Sequence, residues 1–400
     1  MPENPTSSSR PRVLSGMRPT GKLHLGNYMG ALANWVKLQD QYECYFFIAD
    51  LHALTTDYAD TSNILSNTKE VALDFLAAGL DPAKSTLFVQ SHVKQHYELP
   101  LLLGMFTPLG WLERVPSYKE QQENLVGKDL TTYGFLGYPL LMASDILLYQ
   151  PDFVPVGQDQ QAHVELTREV ARRFNNFYPL GQPIPVSIRA EDLSQDERRG
   201  FAERGQVLPL PGSSVTLHQV ELHSVYGNRL EVFPEPGVLL TPSPKLPGTD
   251  GRKMSKSYGN TILMTDPEPV VRQKLKTMVT DPARVRRTDP GDPDKCPVGD
   301  LHKVFSSPET VVNVYEGCRT AGIGCIQCKG WAADALVQVL APIQERRASF
   351  TDAQVTEILE DGSDRARDRA EQTMQEVRAA MQMNPITRKA KEANAGSPSK

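Results

Sequence analysis

The 400-residue sequence contains no run of about 18 apolar residues, so it predicts no transmembrane helix. Its first residues, MPENPTSSSRPR, lack the apolar core of a secretory signal peptide. Basic residues are not in excess, because 43 Lys and Arg stand against 48 Asp and Glu, which excludes a wholly basic nucleic-acid coat. The five cysteines favour free thiols, a metal or a cluster over structural disulfides. We therefore expect a cytoplasmic globular protein with the composition of an enzyme.

Apolar runs alternate with helical patterns in the first part of the chain. Strands are predicted at 12–16, 44–49, 86–90 and 153–156, and helices at 27–39, 138–148 and 162–174. The second strand, CYFFIA, is apolar throughout, as expected for a parallel strand that is covered on both faces. This alternation predicts an α/β fold with a doubly wound parallel, Rossmann-like sheet that binds ligands at the carboxyl ends of its strands.

The pattern changes at about residue 180, where Gly, Pro and Ser become frequent. Alternating residues at 215–222 and 229–233 predict a small β-rich insertion over about 180–236. After residue 265 the pattern is helical, with an apolar stripe of Ala366, Ala370, Met374, Val377 and Met381. We expect an α/β domain over 12–265, a C-terminal all-α domain over 266–384, and disordered ends at 1–11 and 385–400.

The first candidate motif is His24-Leu25-Gly26-Asn27, which follows the first predicted strand and begins the first helix. Free N–H groups at a helix N-terminus suit a phosphate. Gly26 lets a base or ribose approach the backbone, and His24 and Asn27 can donate hydrogen bonds to phosphate oxygens. A capped helix with an incidental histidine explains the same four residues, so this motif alone does not establish a nucleotide site.

The second candidate motif, Lys253-Met254-Ser255-Lys256-Ser257, is much more specific because five given residues seldom coincide. Two lysines three positions apart on a Gly-flanked loop can close over a triphosphate and neutralise a departing pyrophosphate. The alternative is a solvated lysine loop. The presence of the first motif upstream favours the nucleotide site.

The segments PTGKLHLGN (19–27) and KMSKS (253–257) resemble the two signatures of class I aminoacyl-tRNA synthetases. The spacing is similar to that of the tyrosyl and tryptophanyl subgroup. The run from Gly137 to Tyr149 and the run VPVGQDQ (154–160) resemble the tryptophanyl members. The resemblance implies activation of an amino acid with ATP and Mg²⁺, transfer to tRNA, a catalytic domain over 12–265 and an anticodon-binding domain over 266–384.

The residues of the 138–148 helix are also consistent with an indole pocket. Met142 and Asp145 are three positions apart and share a helix face, and Tyr138 lies a further turn back on the same side. A carboxylate accepts a hydrogen bond from the ring N–H, and a polarisable Met fits the ring edge. The alternative is that Asp145 only pairs with a neighbouring side chain.

The resemblance assigns roles to further residues. It implies that Asp145 reads the indole nitrogen, that His52 borders the ring, and that Tyr138 and Gln160 hold the charged end of tryptophan. The expected catalytic residues are His24, Asn27, Lys253 and Lys256. The expected ATP-binding residues are Arg18, Pro19, Thr20, Gly26, Asn27, Gly157, Gln158, Asp159, Leu246, Lys253, Met254, Ser255, Lys256 and Ser257.

One loop departs from the family pattern. Lys119 matches a phosphate-facing lysine, but Gln121 stands where relatives often have a second lysine. The contribution of this loop to phosphate binding is therefore open.

Four cysteines, Cys296, Cys318, Cys325 and Cys328, lie close together in the C-terminal part of the sequence. Four soft ligands can hold a tetrahedral zinc or a [4Fe–4S] cluster. The spacing is similar to that of a subset of tryptophanyl enzymes with an iron–sulfur cluster in the anticodon-binding domain. Zinc, or four reduced thiols without a metal, are the alternatives.

The resulting prediction is a tryptophan–tRNA ligase whose partners are tRNA(Trp), L-tryptophan and ATP and which acts as a homodimer without a membrane. One rival is a nucleotidyltransferase of the HxGH type acting on a small molecule, which needs no helical RNA-binding domain. Another is a synthetase-like RNA-binding or regulatory protein that no longer charges tRNA. The intact lysine pair argues against the second rival.

Overall fold

The computed structural model describes residues 10–116, 118, 130–179, 181–189, 214–222, 231–240 and 246–383. The two ends predicted to be disordered lie almost wholly outside these ranges, as do Lys119 and Gln121. The described residues form two compact units, one within 1–171 and 234–371 and the other within 172–233 and 372–400. The predicted boundary between a catalytic and an anticodon-binding domain at residue 265 stays a prediction.

The first unit is built on a five-stranded parallel sheet, as the sequence predicts. Its strands are β1 (Arg12–Met17), β2 (Glu43–Ile48), β3 (Ser85–Val89), β4 (Phe153–Val156) and β7 (Gly237–Leu240). They lie in the order β3-β2-β1-β4-β7. Gly16 lies directly opposite Phe47 of β2, and a Cβ on Gly16 would lie 2.4 Å from the Phe47 ring. Strands β1 and β2 can pair at this point only because residue 16 is a glycine.

Helices cover this sheet. The first is a continuous helical stretch of three segments, Leu25–Asn27, a π-helical turn Tyr28–Leu32, and Ala33–Leu38. The others of the α/β part are Asp50–Asp57, Ile64–Ala78, Gln95–Gly104, Leu109–Glu113, Tyr133–Tyr149 and Gln161–Phe177. Trp35 of the first helix stacks on Phe46 of β2 with 4.7 Å between ring centroids. Gly79 ends the Ile64–Ala78 helix with a φ of 110°, a conformation that favours glycine.

The C-terminal part of the described chain is helical, which confirms the predicted all-α region. Its helices are Glu268–Thr277, Pro297–Phe305, Pro308–Arg319, Cys325–Ser349 and Asp352–Ala380. Pro297 and Pro308 each occupy the first helical position, where the missing N–H has no cost. Ala366, Ala370, Met374 and Val377 of the predicted stripe are fully buried, whereas Met381 is only half-buried.

The second unit contains an antiparallel pair, β5 (Gly181–Arg189) and β6 (Ser214–Leu222), so the predicted β-rich insertion is confirmed. The strand predicted at 229–233 is wrong for its described residues, because 231–233 do not form a strand. The side-chain amide of Asn175 bonds both the N–H and the C=O of Phe233, at 3.1 and 2.8 Å. These bonds satisfy the backbone groups that would otherwise pair with a neighbouring strand. The Phe233 ring packs edge-on against the Phe174 ring, with 4.8 Å between the ring centroids.

Among the helices of the described residues, none is long and apolar enough to span a bilayer.

Candidate active site

The motif at 24–27 forms a reciprocal N-terminal cap. His24 is the N-cap residue, and its Nδ1 accepts a hydrogen bond from the Asn27 N–H at 3.3 Å. Asn27 Oδ1 in turn accepts from the His24 N–H at 3.1 Å. Two backbone donors of the helix start are thereby satisfied, and the Asn27 Nδ2 group makes no hydrogen bond within the described residues. The helix of Leu25–Asn27 thus begins at the carboxyl side of β1, as the sequence predicts.

His24 is held in its neutral form. Burial, together with the nearby Lys256 ammonium, lowers the pKa of His24 to about 4. Because Nδ1 accepts from the Asn27 N–H, the ring proton lies on Nε2. His24 is therefore a neutral hydrogen-bond donor at physiological pH, which suits a contact with phosphate oxygen without an added charge.

We expect the depressed pKa of His24 to make the fold acid-sensitive. The folded state favours neutral His24, whereas the unfolded chain takes up a proton at this residue below about pH 6.5. The free energy of unfolding therefore has its full contribution from His24 above about pH 6.5 and loses it as the pH falls toward about 4. His24→Asn keeps an N-cap side chain but removes the titrating group. Urea unfolding at pH 7 and pH 4.5 should show a smaller acid-induced loss in the variant, and equal losses in both proteins would contradict this account.

Lys256 of the second motif contacts the loop that precedes the first motif. Its Nζ donates to the carbonyl oxygens of Thr20 at 2.8 Å and Gly21 at 2.9 Å. Burial lowers the pKa of Lys256 to about 8, an effect that the nearby Asp74 carboxylate opposes. The ammonium is therefore still charged at pH 7. Lys253 and Ser257 are exposed. The side chain of Lys253 makes no hydrogen bond or ion pair within the described residues.

Backbone hydrogen bonds fix the lysine loop beside the first helix. The Met254 N–H donates to the Leu246 carbonyl at 3.0 Å, and the Ser255 N–H donates to Asn260 Oδ1 at 2.8 Å. A Cβ on Gly26 would lie 3.8 Å from Cβ of Met254 and 2.9 Å from the His24 ring. The structure therefore brings both motifs and Leu246 together, and Gly26 leaves space between them.

The segment that follows β1 lies at the same edge. Arg18 donates to Thr56 Oγ1 and lies 3.9 Å from the Asp57 carboxylate. Burial lowers the pKa of Arg18, although Asp57 opposes this effect. The Nε of Arg18 is buried and has no hydrogen-bond partner within the described residues. Pro19 is buried and Thr20 is exposed. The contacts of Arg18 therefore anchor the loop that carries the predicted ATP-binding residues Arg18, Pro19 and Thr20.

Asp145 lies at the centre of a buried hydrogen-bond network. It accepts from His52 Nε2 and from His96 Nδ1, each at 2.7 Å, and from Gln90 Nε2 at 2.8 and 2.9 Å. His96 Nε2 lies 2.9 Å from the Tyr149 hydroxyl. Burial alone would raise the pKa of Asp145, but the hydrogen bonds from His52 and His96 outweigh it and lower that pKa. Asp145 is therefore an ionised carboxylate that is fully buried among three hydrogen-bond donors.

The remaining predicted tryptophan and ribose residues are placed as follows. Tyr138 is buried, with its ring centroid 5.8 Å from that of His163, and Met142 is half-buried. Gly157 directly follows β4 and precedes a 3₁₀ turn of residues Gln158–Gln160. Gln158 and Gln160 are exposed, and the side chain of Asp159 lies outside the described part. The turn is at the carboxyl end of β4, where the fold predicts ligand contacts.

A buried ion pair links the C-terminal helices to the first motif. Asp74 is fully buried, contacts the Arg347 guanidinium and accepts from the Leu23 N–H at 2.7 Å. Burial raises the pKa of Asp74 to about 6, against the effects of Arg347 and of the Leu23 hydrogen bond. Arg347 also bonds the Glu70 carboxylate at 2.5 Å. Helix Cys325–Ser349 is thus tied to the residue that precedes His24.

We expect Arg347→Met to destabilise the fold by about 3–5 kcal/mol at pH 7, because the variant leaves a buried carboxylate without its cation. The loss should shrink below about pH 6, where Asp74 becomes neutral. Arg272→Met is the matched control, since Arg272 forms ion pairs at 42% side-chain exposure and should cost no more than about 1 kcal/mol. Urea titrations at pH 5 and 7 measure both, and equal losses for the two variants would contradict the prediction.

The four C-terminal cysteines converge from three helices. Cys296 precedes helix Pro297–Phe305, Cys318 lies in the last turn of Pro308–Arg319, and Cys325 and Cys328 lie in the first turn of Cys325–Ser349. Burial, and then the other three thiols, raise the pKa of Cys328 to about 12. Cys318 Sγ lies 3.7 Å from Arg284 Nη1. Among the described residues, no three His, Cys, Asp or Glu side chains are arranged as a metal site.

Known proteins are similar to this chain in sequence and in structure. The family model "tRNA synthetases class I (W and Y)" matches residues 6–197 and 216–341. The chain belongs to this family. A tryptophan–tRNA ligase of Ralstonia nicotianae is 51% identical to this synthetase, and the match covers 92% of this chain and 98% of the relative. The corresponding Thermotoga maritima protein is 46% identical over 93% and 99%. A Campylobacter jejuni tryptophanyl-tRNA synthetase solved with ADP and tryptophan has a TM-score of 0.72, with 30% identity over 93% of this chain and 99% of that one.

Sequence reasoning missed several residues of the candidate site. Gln90 and His96 bond Asp145, and Asp74 joins Arg347 to the Leu23 N–H. Gln90 could have been found, because it directly follows β3 and lies at the carboxyl end of the sheet. Nothing in the sequence pattern marks His96 or Asp74, since both are placed by contacts between distant helices.

Proposed function

We propose that the synthetase forms tryptophanyl-adenylate in the site at the carboxyl ends of β1, β2, β3 and β4, with the residue roles given below. The chain is a tryptophan–tRNA ligase: it activates L-tryptophan with ATP, releasing pyrophosphate, and transfers tryptophan to tRNA(Trp). The observation that carries the assignment of roles is the contact of Lys256 with Thr20 and Gly21, which joins both motifs in one site.

In the first step the tryptophan carboxylate attacks the α-phosphate of ATP in line, and the bond to the departing pyrophosphate breaks. Lys256 and the exposed Lys253 would neutralise charge on the phosphates, and His24 would donate from Nε2. Asn27 has a free amide group for the same purpose. Bound Mg²⁺ would add positive charge at the phosphate oxygens. No protein nucleophile is needed, because such reactions are accelerated by positioning of the reactants and by stabilisation of charge on the phosphates.

The roles of the tryptophan pocket are supported by chemistry and burial. Asp145 is ionised and can accept the indole N–H, while Met142 and His52 would border the ring. Tyr138 and Gln160 would hold the ammonium and carboxylate of the ligand, and Gly157 and Asp159 the ribose. Arg18, Pro19, Thr20 and Leu246 would line the ATP.

Amino-acid-dependent pyrophosphate exchange tests this function. Full-length protein is assayed with tryptophan, with tyrosine and with neither amino acid. Exchange with tryptophan alone supports the proposal, whereas exchange with tyrosine would overturn the specificity. Exchange without any amino acid would favour a nucleotidyltransferase, and no exchange at all would favour a protein that has lost charging activity.

The second step is transfer of tryptophan from the adenylate to the terminal hydroxyl of tRNA. We propose that residues 266–384 form the domain that contacts the anticodon and that the synthetase acts as a homodimer. The support is the sequence resemblance to tryptophanyl enzymes together with the packing of helices Glu268–Thr277 and Pro297–Phe305 against Cys325–Ser349. Sedimentation of the full chain with and without tRNA tests the dimer, and a monomer in both conditions would contradict it.

We propose that Cys296, Cys318, Cys325 and Cys328 hold a [4Fe–4S] cluster with a structural role. The support is the chemistry of four soft sulfur donors that come from the ends of three neighbouring helices, although no three of them are arranged as a metal site in the described part of the chain. Because the pKa of Cys328 is raised, ligation would require the release of protons. Absorption near 400 nm and iron analysis after anaerobic purification test the proposal. Zinc without iron, or no metal, would overturn it.

A further inference from the structure

The two oxygens of the Asp145 carboxylate have different surroundings. Oδ1 accepts from His96 Nδ1 and Oδ2 accepts from His52 Nε2, each at 2.7 Å. The single Nε2 group of Gln90 spans both oxygens, at 2.8 and 2.9 Å. The His96 side chain is fully buried, whereas the His52 side chain is 12% exposed. Oδ1 therefore lies on the inner side of the network, and Oδ2 lies toward its accessible side.

The hydrogen bonds of His96 fix the position of its proton. The ionised Asp145 carboxylate can only accept, so His96 Nδ1 carries a proton. His96 Nε2 lies 2.9 Å from the hydroxyl of the fully buried Tyr149, and this is the only hydrogen bond of that hydroxyl within the described residues. If Nε2 were also protonated, the Tyr149 O–H would be a buried donor without an acceptor, which is costly. The Tyr149 hydroxyl therefore donates to Nε2, and His96 is neutral.

We propose that His96 and Tyr149 are positioning residues that make the amino-acid site selective for a ring N–H. Tyr149 holds the neutral tautomer of His96, and the His96 Nδ1–H holds Oδ1 of Asp145 on the inner side. The plane of the carboxylate is thereby fixed, with Oδ2 toward the ligand. Three donor nitrogens face about four lone-pair sites, which leaves the carboxylate able to accept the indole N–H. The inference rests on the proposed function, because it takes Asp145 as the group that reads that N–H.

A fixed acceptor discriminates between ligands more strongly than one that can rotate. A ligand without the N–H leaves a preorganised, buried acceptor with a lone pair unpaired, and this lowers the affinity for that ligand. A carboxylate that can rotate finds other partners, so the difference between the two ligands becomes smaller. Loss of His96 or Tyr149 should therefore reduce the preference for a ring with an N–H, whereas general damage to the pocket should weaken binding of both ligands alike.

The test is calorimetric titration of the full chain with L-tryptophan and with β-(3-benzothienyl)-L-alanine, whose ring has sulfur in place of the N–H. The wild type should bind tryptophan about 100-fold more tightly, the effect of one hydrogen bond to a charged group. His96→Leu should reduce this ratio of dissociation constants about tenfold, and Tyr149→Phe about threefold. His96→Asn places an amide N–H near the position of Nδ1 and should keep the ratio within about threefold of wild type.

Matched controls exist for both residues. Tyr45→Phe removes the hydroxyl of another buried tyrosine, which donates to Glu43 outside the Asp145 network. His92→Leu changes an exposed histidine four positions before His96. Both controls should leave the ratio of dissociation constants unchanged.

The tautomer of His96 has a spectroscopic readout of its own. In NMR spectra of wild-type protein labelled with ¹⁵N-histidine, His96 should show one protonated nitrogen and one unprotonated nitrogen. The signals are assigned by their absence in His96→Asn. In Tyr149→Phe the signal of the unprotonated nitrogen should move, because that nitrogen has lost its donor. Two protonated nitrogens in the wild type would overturn the role of Tyr149 as the donor.

Equal losses of affinity for the two ligands in a folded His96→Leu protein, judged by its thermal midpoint, would overturn the proposal, because His96 would then only support the fold. If that variant does not fold, Tyr149→Phe decides, and an unchanged ratio in that protein would have the same meaning. A wild type without a preference for tryptophan would instead contradict the role of Asp145 in the proposed function. The two failures are therefore distinguishable.

Discussion

Lys256→Ala should slow formation of tryptophanyl-adenylate by about 10²–10³-fold, the effect of removing one preorganised donor to developing charge. Lys256 is the lysine that contacts the loop after β1, through Thr20 and Gly21. Binding of tryptophan should remain almost intact, because Lys256 contacts the loop after β1 and, among the described residues, makes no hydrogen bond or ion pair with the Asp145 network. Pyrophosphate exchange and equilibrium binding of tryptophan measure the two effects.

The pKa of Lys256 supplies a second readout. Because burial lowers that pKa to about 8, the ammonium loses its proton above that value, and the exchange rate of the wild type should fall there. The residual rate of Lys256→Ala should not show this fall. Lys84→Ala is a matched control, since Lys84 is an exposed lysine paired with Asp40. Equal losses of exchange and tryptophan binding in Lys256→Ala would mean that the loop supports the fold.

Asp145→Asn should lower kcat/KM for tryptophan by about 10³-fold, because an amide cannot supply two acceptor oxygens to the donors around it and to the indole N–H. The KM for ATP should change less than about twofold, since the two motifs proposed to bind the phosphates are separate from the Asp145 network. Exchange kinetics with each substrate varied in turn measure this split.

Asp50→Asn provides the control for Asp145→Asn. Asp50 is another carboxylate at the strand ends, and it accepts hydrogen bonds from the Ser91 N–H and hydroxyl. Its replacement should disturb the turn after β3 without a selective effect on tryptophan. If Asp145→Asn raised the KM values for ATP and tryptophan equally, Asp145 would have a structural role in place of a binding one.

The sheet could be predicted well because its signals are local. Each core strand is an apolar run, and the strands observed at Arg12–Met17, Glu43–Ile48, Ser85–Val89 and Phe153–Val156 differ from the predicted ones by no more than one residue at either end. The last sheet strand, Gly237–Leu240, was not predicted, since it is short and half-exposed. The 229–233 alternation was misleading, because Val232 and Phe233 are buried outside any ladder.

The site was predictable in part for the same reason. The two motifs are short continuous segments, and the structure places His24, Gly26, Met254 and Lys256 in one region. Within the described part of the chain, the exposed side chains of Lys253 and Gln160 make no hydrogen bond or ion pair, and their expected partners are substrates. Roles that depend on a bound ligand therefore remain predictions of the sequence.

By itself the sequence determined the fold class and marked the segments 19–27 and 253–257, the carboxylate at position 145 and the four cysteines as candidate site residues, because each belongs to a local sequence pattern. Only the tertiary structure decided the protonation of His24 and the partners of Asp145. It also decided the link between Asp74 and Arg347, which are 273 positions apart. The physical reason is that burial and hydrogen bonding between distant segments set charge states and orientation, and no local pattern records them.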